Sequence, residues 1–265
     1  CLLSRGLGDV YKRQVFMLKA AIIDDGIDAS QFKNVKSWVI KKDLSIENEN
    51  IISVKDNHAC TCLKIIQKYC DMSDVFWHSI KILNDDTKRG NIRQFIEALR
   101  LCEQLEVKII HLSIGTRSYS DFNLIEKSIE ALCDKGTIII AAACNEGTVA
   151  YPACMNGVIG VKCDFSATDQ QYLYNCNTLD NISFSASARH ILRDRGKLRL
   201  SLQSNSYAAP LITSKALSLL TRRPYASFEE VYLYLVRNAY NYSESMHVVY
   251  FNPRSCAERI LLNII

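Results

Sequence analysis

Three short stretches hold the side chains best suited to chemistry. Ser204-Asn205-Ser206-Tyr207-Ala208-Ala209-Pro210 runs straight into Leu211-Ile212-Thr213-Ser214-Lys215-Ala216-Leu217, an apolar helical pattern. Pro210 is expected inside the first turn, where the N–H groups have no intrahelical partner to lose. Ser206 then sits at a helix N-terminus, whose free donors and positive dipole end favour developing negative charge. That setting suits a nucleophilic hydroxyl; a plain Ser N-cap on a core helix is the alternative. His58 opens the helix-compatible run Ala59 to Ile66, with Asp56 or Asn57 placed to cap it. Of the five histidines it alone joins a helix start to polar residues upstream, although a lone surface histidine would look the same. Asp24-Asp25-Gly26-Ile27-Asp28 follows the short apolar run Leu18 to Ile23. Open α/β sheets present functional groups at such strand ends, but an Asx turn or an acidic metal cluster would read alike.

The elements between these stretches repeat one plan. His78 to Leu83 is a strand candidate, and Ile92, Phe95, Ile96, Leu99, Cys102 and Leu105 then follow the one-sided helical period. Val107 to Gly115 is a second strand ending in Ser and Gly. Phe122, Ile125, Ile129 and Leu132 line the next helix, with Gly136 as its stop. Thr137 to Ala143 is a third buried strand, broken by Cys144-Asn145-Glu146-Gly147. Strand, helix, strand, helix, strand at this spacing predicts an α/β fold: three layers, a mostly parallel twisted sheet with helices on both faces. Val158 to Val161 and Ile182 to Ser185 read as further short strands. Arg189 to Arg199 reads as a basic surface loop with Gly196 at a turn; an acidic peptide partner is its other reading. Ser227-Phe228-Glu229-Glu230 has the form of a capping box opening a helix to about Arg237. The last two dozen residues show no clear period.

With 265 residues, 48% of them hydrophobic, the chain can bury one large core. A net charge of +4 is no nucleic-acid footprint. No window holds 18 uncharged apolar residues, so no membrane span is expected. The eleven cysteines lack C-x-x-C pairs or a histidine at zinc spacing, which favours buried reduced thiols, a cytoplasmic setting and no metal. Residues 1–14, with Asp9-Val10-Tyr11-Lys12-Arg13-Gln14, read as a non-native adapter-derived tail; a natural disordered tail is the alternative. Residues 15–265 are then one domain. A start near Met17 would leave no room for a signal peptide or propeptide.

Together the stretches resemble the subtilisin-like serine peptidases (subtilases, peptidase family S8). Ala21-Ile22-Ile23-Asp24-Asp25-Gly26-Ile27-Asp28 is similar to the aspartate motif V-I-D-T-G-I-D, with Asp25 at the Thr position. His58 to Ile66 aligns without gaps to H-G-T-H-V-A-G-I-I. Ile110 to Gly115 resembles the substrate-strand motif N-M-S-L-G. Ala141 to Gly147, with Tyr151-Pro152-Ala153, resembles A-A-G-N-E-G…Y-P-A, and Ser204 to Pro210 resembles G-T-S-M-A-A-P. Five motifs stand in order over residues 20–221, with the acid, base and nucleophile in the family's sequence. The resemblance implies Ser206 as nucleophile, His58 as general base then acid, and Asp24 as the carboxylate orienting the imidazole. It implies Asn145 as oxyanion donor beside the Ser206 N–H, and Ser113, Ile114 and Gly115 as the strand that pairs with substrate. Ala59, Lys64, Cys144 and Ser204 depart from family glycines, and glycine matters most where φ is positive or backbones approach closely.

The resemblance implies a serine endopeptidase acting on peptide or unfolded protein, with leader or precursor peptides as a substrate class by analogy. A catalytically silent peptide-binding pseudoprotease is the rival, and esterase or peptide-ligase chemistry on the same triad is a third reading. No cofactor is expected and no calcium site is supported. Specificity, oligomeric state and the completeness of the C-terminus are not legible. The S1 walls are expected near Ser113 to Thr116 and Ala142 to Asn145.

Overall fold

The run Ala20-Ala21-Ile22-Ile23 shows why the molecule is layered. Side chains alternate across a strand, so Ala20 and Ile22 enter one core while Ala21 and Ile23 enter another on the opposite face. Both faces need helices to cover them. In the computed structural model, residues 17–49, 51, 57–176, 178–194, 196–243, 247–251 and 259–263 are described.

The chain order is β1 (Leu18–Asp24), β2 (Val35–Ile40), β3 (Ile46–Asn48), α1 (His58–Tyr69), β4 (Val75–Lys81), α2 (Ile92–Gln104), β5 (Ile109–Leu112) and α3 (Phe122–Asp134). Then come β6 (Ile138–Ala142), β7 (Val158–Cys163), β8 (Tyr172–Tyr174), β9 (Phe184–Ala186), β10 (Ile191–Asp194) and β11 (Lys197–Leu200). The chain continues through α4 (Asn205–Leu220), α5 (Phe228–Arg237), β12 (His247–Phe251) and β13 (Arg259–Asn263). A nine-stranded sheet runs β3-β2-β4-β1-β5-β6-β7-β9-β8. Its pairs are parallel except β2 with β3 and β8 with β9, at the two edges. β10 with β11 and β12 with β13 form separate antiparallel hairpins. On one face, Phe95, Leu99 and Cys102 of α2 meet Ile125, Ile129 and Leu132 of α3 over Ile23, Ile110 and Ile139. On the other, Leu63 and Ile66 of α1 pack with Ile212 and Leu217 of α4 and Val231 and Leu235 of α5 over Ile22, Ile109 and Ile140. The expected three-layer α/β fold is the one observed.

Several expectations change in detail. The strand expected over His78–Leu83 runs Val75–Lys81, and the one expected over Val107–Gly115 is the shorter Ile109–Leu112, which frees Ser113 to Gly115 from the sheet. The basic loop is a hairpin, β10–β11, with Gly196 at φ +82° in its turn. Pro210 is the sixth residue of α4, past the first turn. Strands β2, β3 and β8 were not legible, being short or lying towards an edge. The C-terminal segment without clear period contains the β12–β13 hairpin. Asp56 and residues 1–14 lie outside the described residues.

Candidate active site

The parallel register sets the site. Ile23 of β1 lies level with Leu112 of β5, which lies level with Ala141 of β6. The residues that follow, Asp24, Ser113 and Ala142, therefore emerge together at the carboxyl edge of neighbouring strands, where open α/β sheets place their ligand sites. Asp24 is fully buried, and its Oδ1 accepts the Asp25 N–H at 2.7 Å.

Helix α1 delivers the imidazole to this edge. Asn57 caps it, its side chain accepting the Cys60 N–H at 2.9 Å. Asp25 binds the same helix end from the strand: its carboxylate accepts the His58 N–H at 3.2 Å and the Ala59 N–H at 3.0 Å. The Lys88 ammonium lies 3.2 Å from Asp25 Oδ2 and balances its charge. A buried carboxylate on a helix N-terminus is favourable because it meets free N–H groups and the positive dipole end. Asp25, at the Thr position of the aspartate motif, is thus the tie between β1 and α1. His58 Nδ1 lies 2.7 Å from Asp24 Oδ2. Burial pulls the His58 pKa down, but the hydrogen bond and charge of Asp24 outweigh it, so the pKa sits above the ordinary value. For Asp24, full burial pushes the carboxyl upward and His58 draws it back down.

Helix α4 brings Ser206 to the same place. Ser204 is its N-cap, with extended backbone (φ −153°), and Ser206 is the second helical residue. The next residue, Tyr207, sets its ring 5.2 Å from the His58 ring, tilted by 36°. The helix N–H of residue 210 would ordinarily go to the carbonyl of residue 206, and Pro210 has none. The Ser206 carbonyl is met from below instead, by Ser113 Oγ at 3.1 Å and Cys62 Sγ at 3.6 Å. His111 continues the chain, with Nε2 3.1 Å from Ser113 Oγ and Nδ1 2.8 Å from Thr213 Oγ1 on α4. Ser113 O–H donates to the Ser206 carbonyl, so His111 Nε2–H donates to Ser113, and the single hydroxyl proton of Thr213 faces both His111 Nδ1 and the Ala209 carbonyl, 3.2 Å away. Complete burial, with the charge of His58 adding to it, holds the His111 pKa down at about 3, so the ring is neutral.

Asn145 follows the end of β6. Its Oδ1 accepts the Asn205 N–H at 2.8 Å, which leaves the Nδ2–H₂ end for a ligand. Asn205 is itself locked: its Nδ2 donates to Ala143 O at 3.1 Å and Cys144 O at 2.9 Å, while its Oδ1 accepts the Cys163 N–H at 2.7 Å. The loop bearing Asn145 and the turn bearing Ser206 are therefore one rigid unit. Gly115 abuts the carbonyl of Tyr151, which a Cβ would approach to 2.6 Å, so this glycine is required by close packing. Ser113, Ile114 and Gly115 line a cavity of about 670 Å³ together with Asp24, His58 and Tyr207.

The sequence-predicted residues thus gather at one sheet edge: Asp24 on His58, Ser206 on α4 one residue before the Tyr207 ring that meets His58, Asn145 against the residue before Ser206, and Ser113 to Gly115 along the cavity. Four contributors were missed: Asn205, His111, Thr213 and the capping role of Asp25. Among them His111 carried a signal, since it is a polar residue inside a strand run that was expected to be buried. None of Ala59, Lys64, Cys144 and Ser204 has positive φ, so these departures from glycine cost no backbone strain. Lys64 is half-buried on an unbroken α1. Among the described residues, the grouping with metal-ligand character is Asp24, His58 and Cys62, whose ligand atoms lie within 4.8 Å of one another. All three are engaged in the hydrogen bonds above, and burial holds the Cys62 thiol protonated.

The sequence pattern of the Subtilase family matches residues 18–251. The chain belongs to the subtilase family. The major intracellular serine protease of Bacillus subtilis (strain 168) is 27% identical over 172 residues, 60% of this chain and 52% of that protein. The match thus spans about half of the relative's length. Among solved structures, sphericase superposes with a TM-score of 0.66 at 18% identity, covering 82% of this subtilase and 81% of its own chain. A lanthipeptide protease gives 0.64 at 14% identity, covering 92% and 86%. These likenesses are to the fold. No helix of this subtilase, among the described residues, is long and apolar enough to cross a membrane.

Proposed function

We propose that this subtilase is a serine endopeptidase using Asp24, His58 and Ser206. The observation that carries the reading is the 2.7 Å contact between His58 Nδ1 and the fully buried Asp24, beside the helix that presents Ser206. Asp24 fixes the Nδ1–H tautomer and leaves Nε2 as the base. Ser206 Oγ attacks the scissile carbonyl carbon as its proton passes to His58 Nε2. The carbonyl oxygen becomes an oxyanion held by Asn145 Nδ2–H and the Ser206 N–H, which lies in a first turn with no helical acceptor. Collapse breaks the C–N bond, and the imidazolium returns its proton to the departing amine. Water, deprotonated by the same imidazole, then releases the acyl group and restores the Ser206 hydroxyl.

The substrate is an extended peptide. Ser113 to Gly115 run free of the sheet along the cavity and offer backbone groups for an added strand. Beyond them lies a pocket of about 260 Å³ with Ile82, Leu83, Phe95 and Ile114 on its apolar side and Asn91, Thr116 and Asp121 on its polar side, sized for one substrate side chain. The similar solved structure is, by its name, a lanthipeptide protease, which supports a precursor peptide as substrate here. None of the nine described cysteines is joined in a disulfide, in keeping with a reducing, cytoplasmic setting.

Incubation with unfolded casein and with synthetic precursor peptides, followed by counting new α-amines, tests the reading. Cleavage that disappears in Ser206→Ala supports it. Equal cleavage by Ser206→Ala, or none by folded wild-type protein, overturns it; in the second case the fold serves as a silent peptide-binding module.

A further inference from the structure

The β10–β11 hairpin has its aliphatic side chains on the unexpected side. Its register pairs Ile191 with Leu200 and Arg193 with Leu198, so these four side chains share one face. That face is open: Ile191 is 57%, Leu198 71% and Leu200 53% exposed, and Leu202 just beyond is 74% exposed. The opposite face holds the buried Leu192 together with Lys197 and Arg199, which stay exposed; the Arg199 guanidinium donates to Thr61 Oγ1 of α1 at 3.3 Å. A hairpin with one face on the body ordinarily turns polar side chains outward, and a cluster of exposed aliphatics marks a surface that meets something.

The charge of the same hairpin says what kind of partner. Arg189, Arg193, Arg195, Lys197 and Arg199 stand against Asp194 alone, a net of +4 within residues 189–199. The whole chain also carries +4, so everything outside the hairpin sums to neutral. Arg189, Arg193, Lys197 and Arg199 are exposed. By the register Arg193 stands on the aliphatic face itself, while the exposed Lys197 and Arg199 add positive charge from the opposite face. Leucine beside such charge complements an acidic segment bearing aliphatic side chains.

The hairpin is also continuous with the active site. Arg199 lines the cavity that holds His58 and Ser113. At the hairpin base, His190 Nε2 donates to the carbonyl of Tyr207, the residue after Ser206, at 2.9 Å, and the Ser201 N–H donates to His190 O at 2.9 Å. A peptide lying in the cavity therefore meets the Arg199 side of the hairpin first, and its flanking residues reach the outward face by passing the hairpin's edge.

We propose that the outward face of β10–β11 is a docking surface for an acidic, leucine- or isoleucine-bearing segment of the substrate, outside the bond that is cut. The inference rests on the peptidase reading and names its substrate class. Docking at a second point makes engagement of the cleavage site intramolecular, so it lowers KM without new contacts at the scissile bond.

The test compares two substrates of the purified protein: a short cleavable peptide, and the same peptide extended by an acidic segment with leucine at every third or fourth position. The extended peptide is expected to have a KM lower by roughly tenfold or more, an advantage that shrinks as salt rises. Arg193→Glu with Lys197→Glu, and separately Leu198→Ser with Leu200→Ser, should remove the advantage while turnover of the short peptide is unchanged. Equal KM for both substrates, or an advantage that survives both double variants, overturns the proposal. Concentration-dependent dimerisation abolished by Leu198→Ser with Leu200→Ser also overturns it, by giving the face to a second copy. If no cleavage occurs at all, fluorescence anisotropy of the labelled acidic segment on Ser206→Ala protein still decides the docking claim. Tight binding lost in Arg193→Glu with Lys197→Glu upholds it, and failure to bind overturns it.

Discussion

Ser113 Oγ donates to the carbonyl of Ser206 at 3.1 Å, in place of the amide hydrogen that Pro210 lacks. The first turn of α4 is therefore held to the end of β5 as well as by its own ladder, and the hydroxyl of Ser206 inherits that restraint. His111 lies behind Ser113 and is fixed in turn by Thr213, one helical stretch further along α4. The chain begins and ends on the helix that carries the nucleophile.

Breaking that chain is expected to lower kcat more than it raises KM. His111→Ala and Ser113→Ala should each reduce kcat by on the order of 10²-fold, the cost of about 1 Å of misplacement. The double variant should be no worse than either single one, because both remove the same restraint. His111→Gln keeps a donor near the Nε2 position and should recover much of the rate. Losses that multiply in the double variant would show that the two residues act separately.

Asn145 and Asn205 form a second restraint. Replacing Asn145 with Leu removes an oxyanion donor and is expected to cost on the order of 10²–10³ in kcat, the loss known for this kind of donor in a subtilisin. Asn205→Ala keeps the backbone N–H that Asn145 Oδ1 accepts but unpins Ala143, Cys144 and Cys163. It should lower kcat with little change in KM and reduce thermal stability. An Asn205→Ala enzyme with full kcat would show that the loop keeps its position by other contacts.

The pH profile has a definite sign. His58 must be neutral to accept the Ser206 proton, and Asp24 raises its pKa despite burial. The acid limb of kcat/KM should therefore fall at an apparent pKa above about 6.5, the ordinary value for histidine. Asp24→Asn removes the charge, so it should move the limb to lower pH and reduce kcat by on the order of 10⁴. A limb below the ordinary value in the wild-type enzyme would contradict the pairing.

Stability should also fall on acidification, through other histidines. Burial holds His78 at about 4, His111 at about 3 and His190 at about 4, each below the unfolded value. The unfolded chain then binds more protons as pH falls through about 6.5, so stability is full above that pH and is lost on acidification. For His111 alone the loss by about pH 5 is on the order of 2 kcal/mol. His58, with its raised pKa, opposes this, but it is one group against three. Denaturant unfolding at neutral and mildly acidic pH checks the expectation, and an unchanged midpoint would contradict it.

Much of this was legible in the sequence, for physical reasons. Apolar runs such as Thr137 to Ala143 must be strands buried on both faces, and the period of Ile92 to Leu105 admits only a one-sided helix. Asp24, His58, Asn145 and Ser206 stood out because their types and order match a known site. What stayed hidden depends on distance in three dimensions. Nothing in the sequence says that His111 reaches Thr213, or that Asn205 closes on the loop of Asn145. The place of Pro210 was misread by one turn, and that turn decides which carbonyl lacks a donor. The hairpin β10–β11 was read as a loop because its run of basic charge outweighed the alternation of Leu198 and Leu200 with Lys197 and Arg199.

The most direct test of the account is site-specific phosphonylation followed by intact mass and peptide mapping. A fluorophosphonate needs an activated serine, so folded wild-type protein should gain a single adduct on Ser206 at mildly alkaline pH. His58→Ala should gain it far more slowly, and Ser206→Ala should gain none. An unlabelled wild type, or equal labelling in His58→Ala, would contradict activation of Ser206 by the Asp24–His58 pair.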